Sequence, residues 1–339
     1  MDSSSCYRVF GHDTGALLTP ILTNSRGTPE VASELMASGS HALRTHALDA
    51  ADVLDDVVSI MWTLMAERGF SDLVAAASDE MGAIHFLQPL HTLTGATGND
   101  RTDRTDRTRT DPERTILEFA EQSSTDVSAL SGELRARFLS AAGPAAGDLA
   151  AALWVMDMLP RTRAALDGLF GVSSWPEPRT DRGGDLWGAL DEMIRVIPAL
   201  DSLDPVTSEL VRLRGARQHA CRLCMSLRSR SALRAGADDA TFAAVDDYRT
   251  ASLTSMQQAA LAFTDAMIWT PGRIDANVVG DLQVAATEAQ QVELVLDVTR
   301  NALNKVAVAL GADAAHVEDG IEIYDVEADG SLVYGLSPD

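Results

Sequence analysis

The chain has 339 residues, of which 46% are hydrophobic and 5% aromatic, and its formal net charge is −23. The length predicts about two domains, and the abundant alanine favours helices packed through small side chains. The negative charge argues against sequence-independent nucleic-acid binding, because phosphate contacts require clustered lysine and arginine. No stretch approaches the ~20 apolar residues of a membrane span, and the start of the chain lacks the basic region of a secretory signal. We therefore expect no membrane partner and a cytoplasmic location.

The first half of the chain is predicted to be helical between irregular segments. Residues 1–45 contain scattered Pro, Gly and Ser and are predicted to be irregular, and 46–172 are predicted to form a first helical unit without a cysteine pair. Within that unit, 94–111 carries an Asp-Arg-Thr repeat without apolar side chains, which predicts a disordered insert. Residues 173–190, rich in Pro, Gly and charge, are predicted to be a linker.

The second half of the chain has clearer helix ends. Asp204 can cap a helix whose apolar spacing predicts that it continues to about Gly236. Thr254 and Thr287, each followed three positions later by Gln, predict two more helix starts. Residues 321–339 alternate between apolar and polar with period two, which predicts a small β-hairpin tail.

The two halves also share a weak internal repeat. A shift of 144 residues without a gap superposes similar side chains, among them Leu117 on Leu261, Phe119 on Phe263 and Arg161 on Lys305. This pattern predicts a fused tandem of two related helical units. The first unit has no cysteine near the corresponding place and would be redox-silent.

The most informative motif is Cys221-Arg-Leu-Cys224, which contains two of the three cysteines of the chain. In a reducing cytosol such a pair is typical of a redox or metal site and not of a structural disulfide. A zinc site needs four ligands, and the pair supplies two without a second Cys pair or a closely spaced His pair nearby. The sequence therefore predicts a redox-active dithiol, and we expect neither a metal nor an organic cofactor.

The surrounding residues, Glu209-Leu-Val-Arg-Leu-Arg-Gly-Ala-Arg-Gln-His-Ala-Cys221-Arg-Leu-Cys224, resemble the core of alkyl hydroperoxidase D and the carboxymuconolactone decarboxylase superfamily. Glu209 lies twelve positions before Cys221, as in the redox members, whereas Arg228 stands where those members have a histidine. The resemblance implies an all-α fold, an alkyl hydroperoxidase D-like helical bundle of two fused units. It implies that 191–320 is the alkyl hydroperoxidase D-like domain.

The resemblance also implies roles for individual residues. Cys224 would attack the peroxide O–O bond, Cys221 would close the disulfide, and Glu209 would be the distal base. Arg228 stays protonated, so it could stabilise the Cys224 thiolate or pair with Glu209 but could not relay a proton. His219 is the nearest alternative base, although its position before Cys221 places it on a different face of the predicted helix.

Arginine is concentrated around this motif. A local excess of positive charge would favour a thiolate and attract anionic substrates, although we expect most of these arginines to pair with the acidic remainder of the chain. The seven arginines are Arg212, Arg214, Arg217, Arg222, Arg228, Arg230 and Arg234.

The implied activity is thiol-based peroxide reduction or thiol–disulfide exchange by an alkyl hydroperoxidase D-like oxidoreductase. Its partners would be a hydroperoxide or other small-molecule substrate and a dithiol reductant protein. Two alternatives stay open: a repurposed family member that acts on a metabolite without peroxidase activity, and a non-catalytic redox-sensing oligomer. The packing of the family implies a homo-oligomer, either a trimer or a dimer.

Overall fold

The structure is a computed structural model that describes residues 38–86, 109–171, 175 and 183–338. Most of the predicted irregular segment 1–45 and most of the predicted insert 94–111 lie outside these residues. The described chain is mostly helical with one small β-sheet, so the coarse expectation of a helical protein is confirmed.

The first half contains six helices within the described residues. The helix α1 already begins inside the predicted irregular segment, because Ala42 and Leu43 pack into the core. The start of α4 is fixed by a capping box in which the Thr110 side chain accepts the backbone N–H of Glu113 and Glu113 accepts that of Thr110. The helices are α1 (Ser38–His46), α2 (Leu48–Glu67), α3 (Ser71–Phe86), α4 (Asp111–Asp126), α5 (Gly132–Ala142) and α6 (Ala146–Phe170).

The second half combines long helices with several short ones. The predicted linker 173–190 is too long by some residues, because Asp185 caps a helix that begins at Leu186. The helices are α7 (Leu186–Val196), α8 (Pro205–Gln218), α9 (Arg222–Met225), α10 (Arg230–Arg234), α11 (Asp239–Ala243), α12 (Ser255–Trp269), α13 (Ala276–Ala285), α14 (Glu288–Asn301) and α15 (Asn304–Leu310).

The prediction of one continuous helix from Asp204 to Gly236 is wrong. The helix α8 ends at Gln218, and Ala220 adopts a left-handed backbone conformation with a φ of 51°. A left-handed residue cannot continue a right-handed helix, so the chain turns there and restarts in the short helix α9. The apolar spacing wrongly predicted a continuous helix because Leu223 and Leu227 are both buried, although they belong to different elements.

The predicted hairpin tail is confirmed, but it belongs to a larger sheet. Strands β2 (Glu322–Val326) and β3 (Leu332–Tyr334) are antiparallel neighbours. A strand that the sequence did not predict, β1 (Leu227–Ser229), pairs in parallel with β2 and completes the order β1-β2-β3. The hairpin is therefore attached directly to the segment that follows the cysteine pair.

The two halves share one hydrophobic core. Its buried members run from Ala42 in α1 to Tyr324 in β2 and come from nearly every long helix. Across the two halves, α2 packs against α7 and α6 packs against α14. A smaller separate cluster lies under the short helices and consists of Leu210, Leu213, Ala232, Ala237, Phe242, Val245, Tyr248 and Leu261.

Three successive elements recur with the spacing of the sequence repeat. The helix α4, the 3₁₀ turn Val127–Ala129 and the helix α5 each have a counterpart that begins 144 residues later: α12, the 3₁₀ turn Pro271–Arg273 and α13. The capping box of α4 likewise has a counterpart 144 residues later, formed by Thr254 and Gln257. In both halves, the two helices of this group pack against each other.

One stretch departs from the expectation that no part of the chain is long and apolar enough to span a membrane. Gly132–Phe170 is long and apolar enough to cross a membrane by length and composition alone. Of its most apolar window, 67% is buried inside the protein. This apolar surface packs in the hydrophobic core, so it is weak evidence for a membrane span.

Candidate functional site: a buried dithiol beside a glutamate network

Cys221 and Cys224 are hydrogen-bonded to each other at the start of α9. Cys221 is the N-cap residue, and its Sγ accepts the backbone N–H of Cys224 at 3.3 Å. Both thiols are free and buried, with exposed fractions of 1% and 4%. The hydrogen bond from the Cys224 side chain is the largest of the effects that lower the pKa of Cys221, with smaller help from Arg212. The structure thus favours Cys221 as the thiolate of the pair.

Asp313 holds the dithiol segment in place from the end of α15. Its backbone carbonyl accepts the N–H of Leu223 at 3.0 Å, and its carboxylate accepts the backbone N–H of Arg222 at 3.0 Å. The Arg222 guanidinium adds an ion pair to the same carboxylate at 2.7 Å. These bonds satisfy backbone donors at the start of α9, a helix too short to be stable alone.

Glu209 lies in a second network beside the dithiol. Its carboxylate accepts Arg212 Nε at 2.7 Å and Arg212 Nη2 at 2.8 Å, a bidentate pair. It also accepts the backbone N–H of Ser229 at 3.1 Å and the Tyr324 hydroxyl at 2.9 Å. Burial, together with the adjacent Glu209, raises the pKa of Tyr324 above its usual range, so the phenol remains a donor. The carboxylate therefore ties α8 to β1 and β2.

Arg212 connects this network to the cysteines. Its Nη1 donates to the backbone carbonyl of Cys224 at 2.8 Å, and its Nη2 donates to that of Leu227 at 2.9 Å. Burial acts to lower the pKa of Arg212, but Glu209 and, more weakly, Tyr324 and Cys224 raise it well above the usual value. The fixed cation that faces the dithiol is thus Arg212.

The sheet register explains how Tyr324 reaches Glu209. In the parallel pair β1–β2, Ser229 lies opposite Tyr324. Because Ser229 donates its N–H to Glu209, the neighbouring strand places the phenol at the same carboxylate. Sequence reasoning missed both side-chain partners of Glu209, Arg212 and Tyr324. Arg212 could have been found from its i, i+3 spacing to Glu209, whereas nothing in the sequence pairs Glu209 with Tyr324.

Arg228 does not occupy the position that the predicted helix would give it. It lies in β1, donates through Nη1 to the carbonyls of Met225 at 2.9 Å and Leu227 at 2.7 Å, and stacks over Phe242. Burial, with Arg212 nearby, lowers the pKa of Arg228. The suggested pairing of Arg228 with Glu209 is therefore wrong, since Arg212 occupies that carboxylate.

His219 is near the dithiol in sequence but belongs to different surroundings. It is the C-cap of α8, and it is buried. Burial first, then the charges of Lys305 and Arg161, lower the pKa of His219 to about 3. The structure joins it by no hydrogen bond to Cys221 or Glu209 among the described residues. The turn at Ala220 separates it from the dithiol.

The predicted excess of positive charge is largely neutralised. Beyond Arg212, four of the seven arginines form ion pairs with aspartates, which removes most of the predicted attraction for anions at this site. The pairs are Arg214–Asp265, Arg217–Asp246, Arg222–Asp313 and Arg230–Asp325. In the described part of the chain, no group of three or more His, Cys, Asp or Glu side chains has the arrangement of a metal site.

These features define a mostly helical protein with a buried dithiol beside a carboxylate, a guanidinium and a phenol. The chain is 40% identical over 235 residues to two uncharacterized proteins of Mycobacterium tuberculosis, MT2376 of strain CDC 1551 / Oshkosh and Rv2313c of strain ATCC 25618 / H37Rv. The alignment covers 66% of this chain and 81% of each relative. The chain belongs to the same family as these mycobacterial proteins. No family model and no solved structure matches it.

Proposed function

We propose that the protein carries out thiol–disulfide redox chemistry with Cys221 and Cys224, as an alkyl hydroperoxidase D-like oxidoreductase. The observation that carries the proposal is the hydrogen bonding between the two free thiols, which lowers the pKa of Cys221. Two cysteines three positions apart can form a disulfide without large chain movement, and a thiolate is the nucleophile that starts such chemistry.

The internal spacing of the fold supports the fused tandem that is part of this proposal. The recurrence of α4, the following 3₁₀ turn and α5 after 144 residues is what a fused tandem of two related units predicts. In the proposed tandem, the second unit carries the dithiol and the first contributes core packing. The Glu209 and Cys221 spacing that resembles the family lies wholly in the second unit.

The proposed reaction with a hydroperoxide consumes both thiols. The thiolate attacks the O–O bond and becomes a sulfenic acid, while the other oxygen leaves and takes up a proton as an alcohol. The second thiol then attacks the sulfenic sulfur, water leaves, and a disulfide remains. A dithiol reductant protein regenerates the pair by two successive exchange steps.

The structure and the resemblance favour different cysteines for the first attack. The resemblance assigns it to Cys224, whereas the hydrogen bonds favour the thiolate at Cys221 and leave Cys224 as the proton donor. In the second arrangement, the Cys224 thiol can protonate the leaving oxygen and then attack the sulfenic acid. This arrangement needs no histidine at position 228.

Glu209 then acts as a positioning residue. Its carboxylate accepts four hydrogen bonds, so taking up a proton there would weaken a bidentate pair with Arg212. Through Arg212 it fixes the backbone carbonyl of Cys224 and the strand that follows. We propose that this network sets the orientation of the dithiol, and that substrate reaches the buried thiols through local opening of the segment.

The experiment follows hydroperoxide consumption with dithiothreitol as the reductant in wild type and in the Cys221→Ser and Cys224→Ser variants. Both variants are expected to lose turnover, and the matched control Cys6→Ser is expected to keep it. Trapping with dimedone then identifies the attacking residue: a sulfenic acid in Cys224→Ser but not in Cys221→Ser indicates first attack by Cys221. Turnover that survives loss of either cysteine would refute the proposal.

A non-catalytic redox switch is the second candidate, and the position of Arg228 favours it. A guanidinium that donates to two backbone carbonyls cannot relay a proton as the family histidine does. In that case hydrogen peroxide, an organic peroxide or a disulfide would oxidise the dithiol once per molecule, and no catalytic turnover would follow.

The oligomeric state stays a prediction: we expect a homo-oligomer, either a trimer or a dimer, and sedimentation velocity would test this.

A further inference from the structure

The C-terminal part of the chain is hydrogen-bonded across the segment that carries the dithiol. We call residues 313–334 the strap; it begins shortly after α15 and ends with β3. The carbonyl of Asp313 accepts the N–H of Leu223, which lies between the two cysteines, at 3.0 Å. The N–H of Glu322 donates to the carbonyl of Ser226, past the second cysteine, at 2.8 Å. Strand β2 then pairs with β1, so the strap holds the dithiol segment on both flanks of the second cysteine.

The strap also supplies acceptors for the start of α9. The backbone N–H of Cys224 donates to Cys221 Sγ. Those of Arg222 and Leu223 instead donate to the carboxylate and the carbonyl of Asp313. Because a helix of one turn is not stable alone, the loss of these two bonds would loosen the turn that carries both thiols. Separation of the strap is therefore coupled to the order of α9.

Little of the strap is buried. Four of residues 313–334 are buried, and the stretch 314–321 contains none of them. An element with little buried apolar surface opens at a lower free energy than the protein as a whole. Two of the four buried residues are carboxylates, and they are held by the ion pairs Asp313–Arg222 and Asp325–Arg230.

The helix that supplies Glu209 to the same site is packed differently. In α8, eight of the 14 residues are buried, among them Leu210, Val211 and Leu213 in the hydrophobic clusters. Separation of α8 would expose this apolar surface to water, whereas separation of the strap breaks mainly hydrogen bonds and ion pairs. Of the two, the strap is thus the element that opens at the lower free energy.

The turn of the hairpin offers a way to weaken the strap without changing the thiols. Gly330 has a φ of 77°, and a Cβ at this position would overlap the carbonyl oxygen of Arg195 in α7. A larger residue would both strain the backbone and push the hairpin away from α7. Gly330 belongs neither to the dithiol nor to the Glu209 network, so its replacement leaves their chemistry intact.

We propose that the strap is a removable cover, and that the dithiol reacts only after β2 has separated from β1 and Asp313 has left the start of α9. In the closed state both cysteines are buried. In the open state α9 loosens, and Cys221 and Cys224 become accessible to a peroxide or to a cysteine of the reductant protein. The inference rests on the proposed function only for what the exposed thiols do, since their exposure is measured without catalysis.

The first test is alkylation of the reduced, full-length protein by iodoacetamide at increasing urea concentration. Mass spectrometry separates the peptide of Cys221 and Cys224 from that of Cys6. Opening of the strap exposes less surface than global unfolding, so the alkylation rate is expected to rise with urea less steeply than the equilibrium constant of unfolding. Equal slopes would mean that the thiols become accessible only when the whole protein unfolds, and they would overturn the proposal.

Two glycine variants assign the opening to the strap. Gly330→Ala is expected to raise the alkylation rate without urea about ten-fold, because it strains the closed hairpin. Gly69→Ala is the matched control: Gly69 has a φ of 74° between α2 and α3, and an added Cβ meets nothing within 4 Å. It strains a turn outside the strap, so the alkylation rate is expected to stay within about two-fold of wild type. No acceleration in Gly330→Ala, or equal acceleration in both variants, would overturn the proposal.

Hydrogen exchange of the wild type keeps the test valid if Gly330→Ala unfolds. The amide protons of Leu223 and Glu322, which are bonded to opposite ends of the crossing, are expected to exchange with one common dependence on urea. Both are expected to exchange faster than the amide of Leu213 in α8. Protection equal to that of Leu213 would overturn the proposal. Exposure of the thiols through the strap without consumption of hydroperoxide would refute the proposed function and support this inference.

Discussion

Glu209 and Asp157 are both buried carboxylates that organise a network, yet their charge balance differs. Glu209 pairs with one guanidinium and fills its remaining positions with neutral donors, a phenol and a backbone N–H. Asp157 shares its charge between Arg161 and Lys305. A balanced carboxylate of the first kind fixes a neighbouring segment, here the dithiol. A carboxylate of the second kind joins two cations that come from different halves of the chain.

The largest expected effect is on Asp157. Asp157→Asn would leave two buried cations without a counter-charge, and we expect it to lower the free energy of unfolding by about 3–5 kcal/mol. Urea denaturation followed by circular dichroism measures the loss. Asp55→Asn is the matched control, since its pair with Arg44 is exposed and worth at most ~1 kcal/mol. A comparably small loss at Asp157 would show that its cations do not depend on it.

Asp297 shows what happens to a buried carboxylate that has no ion pair among the described residues. Burial, and then the nearby Glu293, raise the pKa of Asp297 to about 7. Folding then favours the protonated form, so the stabilisation is fully present below about pH 4 and is lost as the pH rises through about 7.

Asp297→Asn should remove this pH dependence. One pKa unit corresponds to about 1.4 kcal/mol. We therefore expect the free energy of unfolding of the variant, relative to that of wild type, to be of the order of 3 kcal/mol higher at pH 8 than at pH 4. The measurement is urea denaturation of both proteins at intervals between these pH values. If the free energies of unfolding of the two proteins changed with pH in the same way, the protonated state of Asp297 would be contradicted.

The phenol of Tyr324 is expected to have a smaller effect. Tyr324→Phe removes one hydrogen bond to Glu209 while the bidentate pair with Arg212 remains, so we expect a loss of about 1–2 kcal/mol. Alkylation of the dithiol by iodoacetamide should become faster, because β2 loses a bond that holds it over the site. Tyr334→Phe, in β3, serves as the control. Unchanged stability and alkylation would show that the phenol is not part of the support.

The smallest expected effect is at Ala220, where the two networks meet in the sequence. His219 before it lies beside Lys305, and Cys221 after it belongs to the dithiol. Ala220→Gly should relieve a left-handed conformation and stabilise the protein by about 0.5 kcal/mol. Ala216→Gly, within α8, should instead destabilise it by about 1 kcal/mol. A destabilising effect at both positions would contradict the strain at Ala220.

The contrast between local and distant signals explains what the sequence could predict. Capping residues such as Thr254 and the alternation after Gly320 gave correct starts for α12 and for the hairpin, because these signals lie within a few residues of the elements. The break after Gln218 was not predictable from apolar spacing, since Ala220 carries no chemical sign of a left-handed backbone. Tyr324 was missed because its partner Glu209 is 115 residues away.

The parallel pairing of β1 with β2 also has a consequence for biosynthesis. Leu227 and Glu322, which lie opposite each other, are about 95 residues apart in the chain. On a ribosome the dithiol segment therefore emerges long before the strand that covers its flank, and contacts of such separation form late. Until β2 is synthesised, the nascent chain presents two adjacent cysteines without the Tyr324 bond to Glu209. The dithiol segment therefore gains its contact with β2 only after the ribosome has synthesised that strand.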